Sequence, residues 1–228
     1  MILQINSVTK RFGGLTALDN CSFNVEEGVI TAVIGPNGAG KTTLFNIISG
    51  LVSSDSGSII FGNRDLAKLR PHEIAKLGIS RTFQQTRLFK NLTIRDNLLL
   101  AAKKSDEAFH NLLHQLKISK PLDTIVSDLS YGQQRLIELA RGLTLPHSLL
   151  FLDEPTAGVN QSVREEIKEI LFGLRKAGRT ILFIEHDMDF VMGVSDDVVV
   201  LSEGRVLARG KPAEIRKNPK VLEAYLGR

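Results

Sequence analysis

The chain has 228 residues, of which 43% are apolar and 24% charged, with a formal net charge of +4. This length fits one domain with a full hydrophobic core, and no run approaches the roughly 18 apolar residues of a membrane span. The first residues lack a signal-peptide pattern, and the single cysteine, Cys21, is interpreted as a small core residue. We therefore expect a cytoplasmic protein. Its dispersed basic residues favour a surface of mixed charge over a nucleic-acid interface.

The predicted elements alternate between strands and helices along the chain. Alternation of apolar and polar residues predicts strands over 3–10 and 18–25, followed by a short strand over 58–61. Three continuous apolar runs are typical of strands buried on both faces of a parallel sheet, and they lie at 29–34, 149–152 and 180–184. Each run precedes a segment of helical pattern, at 41–49, 163–174 and 188–194. This order predicts an α/β core with helices over a parallel sheet.

The strand signal disappears between Ser80 and Leu145. Helical patterns over 98–103, 107–118 and 133–143 predict an inserted helical subdomain there. We therefore divide the single domain into an α/β core, 1–79 and 146–228, and a helical subdomain, 80–145.

The clearest chemical motif is Gly35-Pro36-Asn37-Gly38-Ala39-Gly40-Lys41-Thr42. It has the phosphate-loop pattern, a glycine and four residues before Gly-Lys-Thr, and we call residues 35–42 the phosphate loop. It follows a buried-strand pattern and opens a helical one. Glycines let backbone N–H groups turn toward phosphate oxygens, and the helix N-terminus adds partial positive charge. We predict that Lys41 binds the β- and γ-phosphates of ATP, that the Thr42 hydroxyl contacts Mg²⁺, and that Thr43 also belongs to the site. The alternative is a glycine-rich turn without a ligand.

Two adjacent carboxylates, Asp153 and Glu154, end the second buried run. Such a pair is costly to bury without a compensating cation, and Mg²⁺ would supply one. Asp153 would then hold the metal, and Glu154 would act as the general base on the attacking water. The structural alternative is that the pair caps the turn that begins at Pro155.

A histidine, His186, follows the third buried run. At a strand end it could hydrogen-bond a γ-phosphate oxygen or the attacking water. A purely structural histidine is the alternative, and Asp187 could serve as a helix N-cap.

A further motif, Leu129-Ser130-Tyr131-Gly132-Gln133-Gln134, resembles the signature motif of ABC-transporter ATPases, with Tyr131 where the usual form has glycine. The resemblance extends over essentially the whole chain. Phe12 resembles the aromatic residue that stacks on adenine, and Gln84 resembles the glutamine that touches Mg²⁺ and senses the membrane partner. Asn160 lies where the family's D-loop lies, and His186 takes the place of the switch histidine.

Each of these assignments has a structural alternative. Phe12 could be a core aromatic residue, Gln84 a solvated polar residue, and Ser130 only the N-cap of a helix.

The resemblance implies the ABC ATPase fold, with an antiparallel β subdomain on the N-terminal side, and ATP and Mg²⁺ as ligands. It also implies a second ATPase subunit, identical or different, because a complete site joins the phosphate loop, Glu154 and His186 of one chain to Ser130, Gly132 and Gln133 of another. Transmembrane permease subunits would hold the pair at the cytoplasmic face of the membrane. An importer would also use a substrate-binding protein, and no nucleic acid is expected.

The subfamily resemblance is to the ATPases of branched-chain amino acid importers and their urea or amide relatives. It is carried by 81–84, Leu88-Phe89, 129–135, 153–160 and the ending 218–227. Leu88 and Phe89 suit a docking groove for the permease or a local core turn. An exporter ATPase and a soluble ABC ATPase outside transport remain the alternative functions.

Overall fold

A computed structural model of the chain describes residues 1–82 and 87–226. Within these residues there are ten strands and nine α-helices. The strands are β1 (Leu3–Phe12), β2 (Leu15–Val25), β3 (Ile30–Ile34), β4 (Ser56–Phe61), β5 (Arg64–Asp65), β6 (Ile79–Arg81), β7 (Leu149–Asp153), β8 (Thr180–Ile184), β9 (Asp197–Ser202) and β10 (Arg205–Gly210). The helices are α1 (Lys41–Ile48), α2 (Pro71–Lys76), α3 (Ile94–Leu99), α4 (Asp106–Gln115), α5 (Tyr131–Leu143), α6 (Gln161–Lys176), α7 (Met188–Val194), α8 (Pro212–Ile215) and α9 (Pro219–Leu226).

The central sheet has six strands in the order β10-β9-β3-β8-β7-β6. All neighbouring pairs are parallel except β10 and β9, which are antiparallel. Every residue of β3, β7 and β8 is buried, which confirms that their apolar runs are strands covered on both faces. Because these strands are parallel neighbours, the loops that follow them meet at one edge of the sheet.

The N-terminal strands form a separate sheet in the order β2-β1-β4-β5, and each neighbouring pair in it is antiparallel. Burial alternates at the start of β1, at Leu3 and Ile5, and at the end of β2, at Cys21, Phe23 and Val25, whereas register shifts between the two strands interrupt the predicted alternation elsewhere. The free thiol of Cys21 lies in this sheet and is fully buried, which confirms its interpretation as a core residue. The predicted antiparallel β subdomain is therefore present.

Helices α3, α4 and α5 lie between β6 and β7 in the chain, as predicted for the helical insertion. Strand β6 differs from the sequence prediction, since it reaches Arg81 and pairs with β7. It has only three residues, of which Ile79 alone is fully buried, so it leaves little signal in the sequence. The division at residues 80 and 145 stays a prediction.

The central sheet separates two hydrophobic cores. Ile30, Ala32 and Ile34 of β3 face the core that contains the helical insertion, α6 and α7. Val33 faces the opposite core, which contains α1 and the antiparallel sheet. None of the helices in the described part of the chain has the length and apolar character of a membrane span.

Candidate functional site

The loop between β3 and α1 is shaped by glycines that leave no room for a side chain. A Cβ on Gly35 would lie 2.1 Å from the Leu201 carbonyl oxygen, and one on Gly40 would lie 2.4 Å from the Ala17 carbonyl oxygen. Gly40 also has a φ of 98°, which favours glycine. Within the described residues, no side chain caps α1 and no acidic residue occupies its first turn. The N-terminus of α1 is therefore suited to bind an anion.

The Lys41 ammonium group lies inside the curve of this loop. Its Nζ donates hydrogen bonds to the carbonyl oxygens of Gly35 at 2.7 Å and Pro36 at 2.9 Å. Burial lowers the pKa of Lys41, while the nearby charge of Glu154 raises it. An ammonium group has three hydrogens, so Lys41 can hold the loop and still bind a phosphate oxygen.

The Asp153 carboxylate, at the end of β7, forms a buried ion pair with Arg81. The distance from Arg81 Nη2 to Asp153 Oδ2 is 3.0 Å. Arg81 also donates to the carbonyl oxygen of Phe45 and to the side chains of Asn46 and Ser49 on α1. Burial lowers the pKa of Arg81, and Asp153 opposes that shift. The cation that compensates Asp153 in this structure is thus a guanidinium group from β6, which the sequence analysis missed.

Glu154 and His186 lie together, as the sequence predicts. His186 Nε2 is 2.7 Å from Glu154 Oε1. The two residues follow β7 and β8, which are adjacent, and the Glu154 N–H donates to the Ile184 carbonyl oxygen at 3.0 Å. The backbone φ of Glu154 is 48°, in the left-handed region that residues other than glycine rarely adopt. The strand ends therefore combine a carboxylate and an imidazole in a specific and strained turn.

The turn at Glu154 is held by the guanidinium group of Arg135 on α5. Arg135 donates to three successive carbonyl oxygens, those of Asp153 at 2.9 Å, Glu154 at 2.6 Å and Pro155 at 3.2 Å. It also forms a buried ion pair with Glu138 at 2.7 Å. Burial raises the pKa of Glu138, and its contacts with Arg87 and Arg135 oppose that shift. Arg135 was not predicted as a site residue, because its pattern in the sequence is only that of a helix.

A second buried carboxylate, Glu185, supports the same turn from β8. Its Oε1 accepts hydrogen bonds from the Thr156 N–H at 2.9 Å and from the Thr156 hydroxyl, and its Oε2 accepts from the His186 N–H at 2.8 Å. Glu185 thereby joins the loop after Glu154 to the backbone of His186. Its position directly after a buried apolar run is a signal that could have identified it.

The phosphate loop, Glu154 and His186 share one cavity of about 340 Å³. Phe12, at the end of β1, forms another of its walls and is 48% exposed. The interpretation of Phe12 as a core aromatic residue is therefore wrong. The other walls come from residues 15–17 and from residues 37–43, which include Thr42 and Thr43.

The residues of the signature motif lie at the start of α5. The Ser130 hydroxyl accepts from the Gln133 N–H at 3.3 Å, and the Gln133 side chain accepts from the Ser130 N–H at 3.1 Å, which forms a capping box. Gly132 packs closely against α6, where its Cβ would lie 2.7 Å from Val163. Asn160 caps α6 by accepting from the Val163 N–H at 3.0 Å. Among the described residues that line the phosphate-loop cavity, none comes from the starts of α5 and α6.

Two further sequence predictions have different outcomes. Asp187 is the N-cap of α7, because its side chain accepts from the Phe190 N–H at 3.0 Å. Gln84 lies outside the described residues, so its predicted contacts with Mg²⁺ and the membrane partner stay predictions.

Comparison with known families decides the identity of this fold. Residues 18–157 match the family model described as ABC transporter. The chain belongs to the ABC transporter ATP-binding family. Residues 205–228 also match the family model described as branched-chain amino acid ATP-binding cassette transporter.

Several relatives match this ABC ATPase along nearly all of its length. It is 40% identical to the probable branched-chain amino acid transport ATP-binding protein LivG of Archaeoglobus fulgidus, over 99% of this chain and 95% of the relative. It is 39% identical to the high-affinity branched-chain amino acid transport protein LivG of Salmonella typhimurium, over 99% of this chain and 98% of the relative. It is 38% identical to the high-affinity branched-chain amino acid transport protein BraF of Pseudomonas aeruginosa, again over 99% of this chain and 98% of the relative.

Solved structures show the same ABC ATPase fold. A nucleotide-free ATP-binding cassette from an ABC transporter has a TM-score of 0.92 and 33% identity, with coverage of 100% of this chain and 99% of that one. An ATP-binding cassette in its ADP conformation has a TM-score of 0.90 and 34% identity, with the same coverage. The predicted fold and family are confirmed, and the chain is an ATPase that binds adenine nucleotide.

Proposed function

We propose that this chain is the ATPase subunit of an importer for branched-chain amino acids, bound at the cytoplasmic face of the membrane. The observation that carries this proposal is that the names of the relatives and the family model matched by the C-terminal residues indicate the same type of transporter. Relatives of 38% to 40% identity over nearly the full length are named as branched-chain amino acid transport proteins, and residues 205–228 match a family model of the same transporter type.

The arrangement of Glu154 supports its role as general base in ATP hydrolysis. Its carboxylate lies in the same cavity as the phosphate loop, so it can accept the proton of a water molecule that attacks the γ-phosphate. His186, at 2.7 Å, orients the carboxylate and can donate to the γ-phosphate or the water. Lys41 and the N-terminus of α1 stabilise the negative charge of the phosphates.

The oxygen donors near the phosphate loop fit Mg²⁺. In the described residues there is no cluster of three or more His, Cys, Asp or Glu side chains for a metal. Mg²⁺ does not need one, since it is usually bound by one or two carboxylates or hydroxyls together with water and substrate phosphates. Thr42 and Asp153 would hold the ion, because a carboxylate that is paired with Arg81 can accept further partners. When bound, Mg²⁺ would neutralise charge on the β- and γ-phosphates.

A second ATPase subunit completes the proposed site. Ser130, Gly132 and Gln133 form a capped helix N-terminus that lies outside the walls of the cavity in its own chain. Such a helix end suits the γ-phosphate of a nucleotide bound to a partner subunit, identical or different. Asn160, at the start of the neighbouring α6, would lie at the same junction. Phe12, exposed beside the phosphate loop, would stack on adenine.

The contact with the permease is proposed near the segment that follows β6. Leu88 is buried and belongs to the core, whereas Phe89 is 56% exposed. Of the two apolar residues interpreted as a docking groove, Phe89 is therefore available to a transmembrane subunit, whereas Leu88 is part of the core. Through such a contact, opening and closing of the ATPase pair would be passed to the permease.

The proposal is tested by affinity purification of the chain from membranes of the organism that encodes it, followed by uptake assays. We expect a permease subunit to co-purify, and deletion of the gene to abolish uptake of labelled leucine, isoleucine and valine. Complementation with the wild-type chain should restore uptake, while a Glu154→Gln chain should not. Loss of urea or amide uptake instead would change the assigned solute. Loss of solute export would show that the chain serves an exporter instead of an importer. Co-purification with ribosomes or DNA-repair proteins would overturn the transporter function.

A further inference from the structure

The guanidinium group of Arg81 joins the end of β7 to helix α1. On one side its Nη2 lies 3.0 Å from Asp153 Oδ2, and the two side chains are only 7% and 8% exposed. On the other side its Nη1 donates to the carbonyl oxygen of Phe45 at 3.1 Å and to the side chains of Asn46 and Ser49, each at 3.0 Å. Arg81 is therefore a buried link between the strand end and the helix that begins in the phosphate loop.

The proposed Mg²⁺ ligand Thr42 lies on the same face of α1 as the contacts of Arg81. It precedes the three residues that bind Arg81 by three, four and seven positions, and this spacing places them all on one side of a helix. Asp153, the other proposed ligand, is held by the same guanidinium group. Arg81 thus fixes the positions of the two elements that carry the proposed ligands relative to each other.

Positive charges and hydrogen bonds already compensate the carboxylates at these strand ends. Asp153 is paired with Arg81, and Glu154 shares its cavity with the ammonium group of Lys41. Glu185 accepts hydrogen bonds from the loops that follow β7 and β8. Mg²⁺ gives up its water reluctantly, so a site without excess negative charge attracts the free ion only weakly. The phosphates of ATP bring the negative charge that this site lacks.

We propose that Arg81 is a positioning residue for the metal site and the resident counter-ion of Asp153. It holds the Asp153 carboxylate against the helix that carries Thr42, and its charge keeps free Mg²⁺ from binding before ATP. Metal and nucleotide therefore enter the site together. The inference rests on the proposed Mg²⁺ site at Thr42 and Asp153, and it is independent of the transported solute.

The test is a titration of the full chain with Mn²⁺ in the absence of nucleotide, followed by the electron paramagnetic resonance signal of free Mn²⁺. Mn²⁺ takes the same oxygen ligands as Mg²⁺. Arg81→Gln removes the charge and keeps an amide that can donate to Asp153. We expect it to bind Mn²⁺ at least about tenfold more tightly than the wild type, because one repulsive charge beside a dication is lost. Arg81→Lys keeps the charge and should bind Mn²⁺ as weakly as the wild type.

Two further variants locate the effect. Arg81→Gln combined with Asp153→Asn should lose the gain in Mn²⁺ affinity, because the carboxylate that would bind the metal is then absent. Arg175→Gln alters an arginine that is paired with Asp196, and Asp196 accepts from the Ile30 N–H at the start of β3, the opposite edge of the sheet. It should bind Mn²⁺ like the wild type. A purely structural role for Arg81 would not produce a gain of metal binding that depends on Asp153.

Equal Mn²⁺ affinities of Arg81→Gln and the wild type would overturn the proposal. Loss of a buried charge could prevent that variant from folding, and the wild-type chain then provides the test. Tight binding of Mn²⁺ to the wild type without nucleotide, abolished by Asp153→Asn, would overturn the proposal, and weak binding is the expected result. If the wild type bound ATP no more tightly with Mn²⁺ than without it, the proposed Mg²⁺ site itself would be refuted, so the two failures are distinct.

Discussion

At the scale of single residues, the position of the Glu154 carboxylate depends on charged side chains that bind the backbone of its turn. A left-handed backbone at a residue other than glycine costs about 1–2 kcal/mol. Arg135 compensates this by binding the carbonyl oxygens of residues 153–155, and Glu185 holds the next residues from β8. The proposed general base is therefore positioned by a buried arginine from the helix that begins at the signature motif.

We predict that Arg135→Lys lowers turnover by about tenfold while ATP affinity stays within about twofold. Lysine keeps the charge, but a single ammonium group cannot reproduce the planar set of donors that reaches three carbonyl oxygens and Glu138. The loss belongs to the chemical step, because the phosphate loop is not altered. Phosphate release and nucleotide titration measure the two quantities.

The control for this change is Arg175→Lys, which alters an arginine in an exposed ion pair with Asp196. It should leave both turnover and affinity unchanged. Normal turnover in Arg135→Lys would show that the Glu154 turn holds its shape without the guanidinium group.

At the scale of elements, the start of α5 has both a structural and a proposed functional role. Ser130 and Gln133 satisfy each other's backbone N–H groups, which fixes where the helix begins. The same helix end is proposed to face the nucleotide of a partner subunit. The two roles can be separated, because α4 also begins with a serine N-cap, in which the Ser105 hydroxyl accepts from the Ala108 N–H at 3.3 Å.

We predict that Ser130→Ala and Ser105→Ala each lower the free energy of unfolding by about 1 kcal/mol, the usual worth of an N-cap. Only Ser130→Ala should reduce ATP hydrolysis, since Ser105 lies on a helix with no proposed contact to nucleotide. Denaturant titration and ATPase assays on both variants make the comparison. Equal ATPase activities in the two variants would leave Ser130 with a capping role alone.

Sequence patterns predict the elements that are long or buried on both faces. The runs at β3, β7 and β8 were identified on that basis, and β9 carries a similar run that could have been read in the same way. Strands β5 and β6 have two and three residues, too few for a pattern. The role of Arg81 could not be predicted, because its pairing with Asp153 depends on β6 lying next to β7. Arg135 likewise acquires its role only when α5 packs against the β7 turn.

At the scale of the whole molecule, one sheet divides the fold into two cores, and Cys21 lies in the core shared by α1 and the antiparallel sheet. Burial raises the pKa of its thiol to about 12. The reactive thiolate is therefore almost absent at neutral pH, and the sulfur is shielded from reagents.

We predict that the native chain does not react with a thiol-specific chromogenic reagent at pH 8. One equivalent should react after unfolding in denaturant, because the thiol then regains its ordinary pKa and exposure. Rapid labelling of the native chain would contradict a closed core around the antiparallel sheet. Absorbance at a fixed reagent concentration follows the reaction directly.

The fold as a whole presents half of the proposed catalytic site, with the phosphate loop, Glu154 and His186 in one cavity and the start of α5 outside it. The most direct test is the oligomeric state and phosphate release of Glu154→Gln with ATP and Mg²⁺, with Lys41→Ala as the control that should not bind ATP. Glutamine keeps the shape of the side chain but cannot accept the proton of the attacking water. We predict a stable dimer with ATP, a monomer without it, and phosphate release close to background. Wild-type phosphate release would contradict Glu154 as the general base, and a variant that stays monomeric with ATP would contradict a site shared by two subunits.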